Sequence, residues 1–262
     1  MREIFEKSKL VSAFSNTEFA DKIFWLDCVD STNVYASKLL SEKVEAPFVV
    51  VAREQNAGKG RLSRKWYAQP DTTLCMSVVI PAPHDSTLIR SFTTRVAVSV
   101  CSALEKKLST QLYIKWPNDI YSSTGKKIAG MLTELKIDAT EKSIILGIGI
   151  NCFHPENPVD ESIAETIGIL EDSTTQNFSM YDIAKIVALA ILETVRAKST
   201  ENLAREFSHY DWLSGKDIQI DVGSSVLSGI ASGIANNGEL LLKLKTGEIK
   251  QIAGLEASII KK

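Results

Sequence analysis

Residues 144–152 read Ile-Ile-Leu-Gly-Ile-Gly-Ile-Asn-Cys. An apolar, β-branched run of this length reads as a buried strand. Its Gly-x-Gly core raises the question of a dinucleotide-binding turn. Position 152 is Cys152 where that fingerprint needs a glycine, and no helical periodicity follows. The dinucleotide-binding architecture is therefore rejected. Glycines at 147 and 149 weaken a strand and mark close approach of another group to the backbone. A second apolar run, 128–135, precedes it across a polar turn at 138–142, and the pair predicts adjacent strands.

Upstream, residues 23–28, 48–52 and 74–80 read as strands, the last closed by Pro81 and Pro83. Asp30-Ser31-Thr32-Asn33 offers N-caps for a helix running to about residue 40. Apolar residues at 88, 92, 96, 100, 104 and 108 predict one face of a long helix. A short strand at 112–116 ends at Pro117. Downstream, 153–178 is rich in Pro, Asn and acids and reads as irregular. Ile183, Val187, Ile191 and Val195 mark a helix, and another is expected over about 200–210. After Gly215 short strands (218–222, 226–234, 240–244, 248–252) alternate with glycine turns, and Asn237-Gly238 signals a hairpin. The expectation is an α+β fold: residues 1–214 as a mixed sheet flanked by helices, then 215–262 as a small all-β barrel.

The 262 residues can hold one large domain or a large and a small one. The net charge of −2 speaks against a general nucleic-acid binder. Positive charge is instead local, with five cations and one acid between residues 53 and 66. No apolar run approaches a membrane span, and residues 1–17 lack the apolar segment of a signal peptide. Cys28, Cys75, Cys101 and Cys152 form no Cys-x-x-Cys pair, and His84, His154 and His209 show no metal spacing. Reduced thiols in a cytoplasmic protein are expected.

Several clusters carry chemistry. Gln55-Asn56-Ala57-Gly58-Lys59-Gly60-Arg61-Leu62-Ser63-Arg64-Lys65-Trp66 alternates glycines with cations and ends on an indole. Such a loop can wrap an anion such as a phosphate or acyl phosphate, while a bare Gly-x-Gly-Arg is more often a solvated loop. Lys115-Trp116-Pro117-Asn118-Asp119 holds an amide and a carboxylate on a restricted backbone; the carboxylate suits Mg²⁺, and the plainer reading is a turn. In Gly125-Lys126-Lys127-Ile128-Ala129-Gly130 the second lysine abuts a strand and can stabilise negative charge at a core edge. Asp30-Ser31-Thr32-Asn33 gives a polar pocket at a helix start or merely a cap. No Walker A sequence and no nucleophile–histidine arrangement is present.

In order, these clusters resemble the biotin protein ligase family, over about residues 25–152, and the β-rich tail looks like that family's small SH3-like barrel. The resemblance implies that biotin and ATP give biotinyl-AMP and pyrophosphate, and that biotin then passes to one lysine of a biotin carboxyl carrier protein. It places Ser31, Thr32, Asn33 and Gln55 on the ureido ring of biotin. Gly58, Lys59, Gly60 and Arg61 form the loop over the adenylate, with Gly130 and Gly149 lining the pocket. Arg64, Trp66, Asn118 and Asn151 go to the nucleotide, with Trp66 stacked on adenine. Asp119 helps hold Mg²⁺, and Lys127 lies beside the biotin carboxylate and the α-phosphate. Lys59 departs from the family's usual arginine and loses the guanidinium fork. Only about 30 residues precede Ser31, too few for the winged-helix module of some members. No DNA binding and no membrane association are expected; an edge strand offers a homodimer surface. The rival within the fold is a lipoate or octanoate ligase-like acyltransferase, whose linear chain has no use for Ser31, Thr32 and Gln55.

Overall fold

The structure, a computed structural model, describes residues 4–138, 141–197, 199–223, 225–254 and 257–261. The elements are α1 (Lys7–Phe14), β1 (Ile23–Val29), α2 (Thr32–Ser41), β2 (Phe48–Gln55), β3 (Thr73–Pro81), α3 (Ser86–Arg90), α4 (Phe92–Leu108), β4 (Leu112–Lys115) and β5 (Asp119–Ser122). Then follow β6 (Lys127–Ile137), β7 (Lys142–Asn151), α5 (Glu161–Ala164), α6 (Met180–Arg196), α7 (Leu203–Ser208), β8 (Asp217–Asp221), β9 (Val226–Ile234), β10 (Leu240–Leu244), β11 (Ile249–Ile252) and β12 (Ser258–Lys261).

Seven strands form one mixed sheet in the order β1-β2-β3-β7-β6-β5-β4. Only β1 and β2 run parallel, joined through α2. Strand β7 lies at the centre between β3 and β6, so the glycine run quoted first sits in the middle of the molecule. A second, antiparallel sheet takes the order β11-β10-β9-β8-β12. The Asn237-Gly238 turn joins β9 to β10, with Gly238 at φ 83° as that turn requires.

Alternation along β3 and β7 sorts their side chains onto two faces. Leu74, Met76, Val78 and Ile80, with Leu146, Ile148 and Ile150, face the main core, which also holds Leu10 and Phe14 of α1, the apolar stripe of α4 and that of α6. Val79 and Ile145, with Phe48 and Val50, meet Ala36 and Leu39 of α2 on the opposite face. Further along that second face come Ser77, Cys75, Gly147 and Gly149, and the first turn of α2 reaches Ser77 and Gly147 through Thr32 and Asn33. The cavity described below opens there. Ile218, Ile220, Ala231, Leu240 and Leu242 of the second sheet belong to the main core, so the two sheets share one contiguous apolar interior.

Several expectations are corrected. The long helix over 87–108 is two, α3 and α4, broken at Ser91, whose hydroxyl bonds back to the Thr87 carbonyl at 2.8 Å. The turn after Pro117 feeds a fifth strand, β5, through the cis Trp116–Pro117 bond. The irregular stretch 153–178 contains α5 and a single 3₁₀ turn at Glu171–Ser173. Helix α1 and strand β12 have no counterpart in the sequence reading. The turn expected at 138–142 lies partly outside the described residues. No described helix is long and apolar enough to cross a membrane.

Trp116 ties the sheets together. Its ring is 1 % exposed and its indole N–H donates to the Gly238 carbonyl at 2.9 Å. Trp116→Phe keeps most of the ring and removes that donor, leaving a buried carbonyl unpaired. The expected loss is about 1–2 kcal/mol, read as a fall of roughly 2–6 °C in the thermal midpoint.

Candidate active site

A cavity of about 180 Å³ opens on the uncovered half of the sheet. Helix α2 begins at its wall. Ser31 takes the N-cap position in extended backbone, yet its hydroxyl makes no capping hydrogen bond and lines the cavity instead. The capping explanation for this cluster is thus set aside for Ser31. The Thr32 backbone N–H donates to Gln55 Oε1 at 2.8 Å and its hydroxyl lies 3.1 Å from the same atom. Strand β2 therefore delivers Gln55 to the start of α2.

Two glycines of β7 make the floor. A Cβ on Gly147 would stand 2.3 Å from Asn33 Oδ1, and one on Gly149 would stand 2.3 Å from Trp66 Cε2. Asn33 and the Trp66 indole thus occupy the space that side chains on β7 would take. Beside them Cys75 is buried under β3's inner face, which pushes its thiol up to about 12 and keeps it neutral.

The glycine-cation loop is a small hairpin. Trp66 N–H donates to the Gly58 carbonyl at 2.9 Å and Gly60 N–H to the Arg64 carbonyl at 2.7 Å. Leu62 and Ser63 take left-handed backbone (φ 54° and 58°) at its tip. Arg61 reaches inward. It donates to Asn118 Oδ1 at 3.3 Å, to the Ala257 carbonyl at 2.9 Å and to the Gly254 carbonyl. Arg64 donates to Ser258 Oγ at 2.7 Å. The loop is thus fastened to the C-terminal segment. Burial pushes the Arg61 guanidinium down from its ordinary pKa; Asp119 opposes that shift and Arg64 adds to it.

On the opposite wall a bulge separates Ile120 from Tyr121 in the β5–β6 ladder. Next to it Lys127 Nζ lies 2.7 Å from Asp119 Oδ1. The ammonium also sits 5.5 Å from the Trp66 ring centroid. The Lys127 main chain is held by the excursion after β7: its N–H donates to the Thr166 carbonyl at 2.8 Å and its carbonyl accepts from Gly168 at 2.7 Å.

Fourteen of the sixteen sequence-predicted residues line this one cavity: Ser31, Thr32, Asn33, Gln55, Lys59, Gly60, Arg61, Arg64, Trp66, Asn118, Asp119, Lys127, Gly130 and Gly149. Two stand off it. Gly58 lies beneath the loop, where a Cβ would be 3.1 Å from Gln55 Nε2. Asn151 is buried, and its amide donates to the carbonyls of Lys127 at 3.3 Å and Gly168 at 3.1 Å. Sequence reading missed Ser77, Leu132 and Ser258. A serine inside the apolar run Leu-Cys-Met-Ser-Val-Val was a signal for the first; nothing local marks the other two. Among the described residues no group of three acidic, histidine or cysteine side chains could hold a metal ion by itself.

Residues 25–151 match the biotin/lipoate A/B protein ligase family, and residues 213–259 match the biotin protein ligase C-terminal domain. The chain belongs to the biotin protein ligase family. It superposes on the biotin protein ligase of Aquifex aeolicus in complex with biotin and ATP with a TM-score of 0.80, at 28% identity, covering 92% of this chain and 99% of that one. It is 28% identical over 234 residues to the bifunctional ligase/repressor BirA of Bacillus subtilis, covering 88% of this chain and 71% of the relative. It is also 28% identical over 228 residues to the biotin–[acetyl-CoA-carboxylase] ligase of Paracoccus denitrificans, covering 83% and 92%. The C-terminal match includes Gly254 and Ala257, whose carbonyls accept from Arg61.

Gly149→Ala puts a methyl group into the indole. Trp66 must leave the floor while the strand stays paired. The Trp66 fluorescence, taken as the difference from a Trp66→Phe chain, is expected to shift red and become more open to acrylamide quenching. An unchanged signal would show that the ring does not rest on β7.

Proposed function

We propose that this chain activates biotin with ATP to biotinyl-5′-AMP and pyrophosphate, then transfers the biotinyl group to a lysine of a biotin carboxyl carrier protein. The observation that carries the assignment of roles is the convergence of Arg61, Asp119 and Lys127 on one cavity whose inner end is lined by Ser31, Thr32 and Gln55.

The first step makes a P–O bond between a carboxylate oxygen and the α-phosphorus, and breaks the bond to pyrophosphate. Two anions must meet. Lys127, fixed by Asp119 and by its own main chain, offers an ammonium where the carboxylate and the phosphate would approach each other. It lowers the repulsion between them and stabilises the charge that grows on the phosphoryl oxygens. Holding both substrates in line supplies much of the remaining rate. We assign Arg61, with Gly58, Lys59 and Gly60, to covering the mixed anhydride and excluding water from it. Arg64, Trp66, Asn118 and Asn151 are assigned to the nucleotide side, where Trp66 offers a flat face and Asn151 anchors the Lys127 main chain.

The polar inner end suits a cyclic urea. A linear acyl chain would leave the Thr32 and Gln55 groups facing it unpaired, a cost that selects against it. Asp119 is the one carboxylate lining the cavity among the described residues. That set fits a Mg²⁺ carried on the nucleotide phosphates with Asp119 as its protein ligand, where the ion would offset phosphate charge. In the second step a neutral carrier-lysine amine forms the amide bond at the acyl carbon, and AMP leaves.

Residues 1–214 are assigned the chemistry and 215–262 the bracing of the loop. All four cysteines are free, which supports a cytoplasmic setting.

Lys127→Ala removes the ammonium without touching a ladder bond. Adenylate formation, followed by pyrophosphate release with biotin and ATP, is expected to fall by about 10²–10³-fold. Near-normal turnover in a folded variant would remove Lys127 from the mechanism.

A further inference from the structure

Behind the cavity wall, side chains from β6, α2 and β3 form one hydrogen-bonded line. It starts at Glu134 on β6. Asn33 Nδ2 donates to Glu134 Oε2 at 2.6 Å and to the Leu132 carbonyl at 3.3 Å. A carboxylate and a carbonyl only accept, so these two neighbours fix which end of the Asn33 amide faces them. Asn33 Oδ1 must then face the other way, where Ser77 Oγ lies 2.6 Å from it. Ser77 is fully buried and its hydroxyl donates to Asn33 Oδ1.

Ser77 Oγ is also 2.7 Å from Thr32 Oγ1. Two hydroxyl oxygens that close need a proton between them. Ser77 supplies it, sharing its hydroxyl proton between Asn33 Oδ1 and Thr32 Oγ1. The Thr32 hydroxyl donates in turn to Gln55 Oε1 at 3.1 Å, the atom that also accepts the Thr32 backbone N–H. The Thr32 proton is thus engaged by Gln55 and its remaining lone pair meets the cavity.

We infer that Glu134, Asn33 and Ser77 form a positioning relay that holds the Thr32 hydroxyl as a hydrogen-bond acceptor, so that the site selects a ligand bearing a ring N–H. The inference rests on the biotin reading above, because a cyclic urea brings such a group. It also moves Asn33 from ligand contact to positioning: its amide hydrogens and its oxygen are engaged within the wall. Gly147 is what allows this, since any side chain there would strike Asn33 Oδ1.

The test is a double-mutant cycle on the full chain. Biotin binding by calorimetry and steady-state kinetics are measured for the wild type, Ser77→Ala, Glu134→Ala, the double variant and Ser77→Thr. Ser77→Ala is expected to raise Kd and KM for biotin about 10-fold with kcat within about twofold, the worth of one hydrogen bond. Glu134→Ala should raise them about threefold. The double variant should be no weaker than Ser77→Ala alone, because both changes cut the same line. Ser77→Thr, which keeps the hydroxyl, should return to within about threefold of the wild type. Multiplicative losses in the double variant, a fall in kcat at unchanged KM, or unchanged binding in Ser77→Ala would each overturn the relay. If Ser77→Ala does not fold, Glu134→Ala decides, since Glu134 is exposed: unaltered biotin affinity there overturns the relay too. A wild-type chain that fails to bind biotin overturns the functional reading itself; a wild type that binds it, with additive variants, overturns the relay alone.

Discussion

The central strand β7 carries no side chain at two successive positions of one face, and the rest of the site stands on that bareness. Asn33 from the start of α2 and Trp66 from the end of the loop each sit where a Cβ would be 2.3 Å away. One glycine therefore admits the polar wall and the other admits the indole. A glycine in a strand interior costs roughly 0.5–1 kcal/mol relative to alanine. Two on one face of the strand with the longest ladders in the sheet are tolerated because β3 and β6 pair with it along its whole length. The core supplies rigidity from the far face through Leu146, Ile148 and Ile150, and the near face is left to chemistry.

Charge is managed by the same geometry. Lys127 and Asp119 face each other across a bulged ladder, so the ammonium is held at a set place rather than on a free stem. Arg61 is treated differently. Its guanidinium donates to carbonyls of the C-terminal segment and to the Asn118 amide oxygen. The second sheet thereby acts on the loop, and the loop's position depends on a segment nearly two hundred residues away in sequence. Trp116, bonded to the Gly238 carbonyl, ties the two sheets at their shared core.

Much of this was legible in the chain. Strands β2, β3 and β7 announce themselves as apolar runs between turn residues, because burial on both faces removes the polar alternation that would blur them, while β9 and β10 are marked by the glycine turns around them. Site residues were legible where several unusual residues cluster, as in the loop and at residues 115–119. Three kinds of feature were not. Strand β5 is four residues long and opens with Asp119, so its turn-like start outweighed its β-branched middle. The break at Ser91 left the four-residue apolar period intact, so periodicity alone could not locate it. Ser77, Leu132 and Ser258 enter the site through tertiary placement: their own neighbourhoods look like any strand, and only the fold brings Leu132 and Ser258 to the cavity and Ser77 against the wall behind it.

On the biotin reading proposed above, the wall beside α2 would let this fold serve one acyl substrate and refuse another that differs mainly at its far end. Desolvating Thr32, Gln55 and Ser31 is costly unless a ligand restores their hydrogen bonds. A ligand with a polar ring recovers that cost, while an apolar tail of equal volume does not, although both would reach Lys127 equally well. That reading sets selectivity away from the reacting atoms, at the start of α2, and leaves the cations at the mouth indifferent to it. The separation lets the same activating chemistry be kept while the inner wall alone defines what is activated.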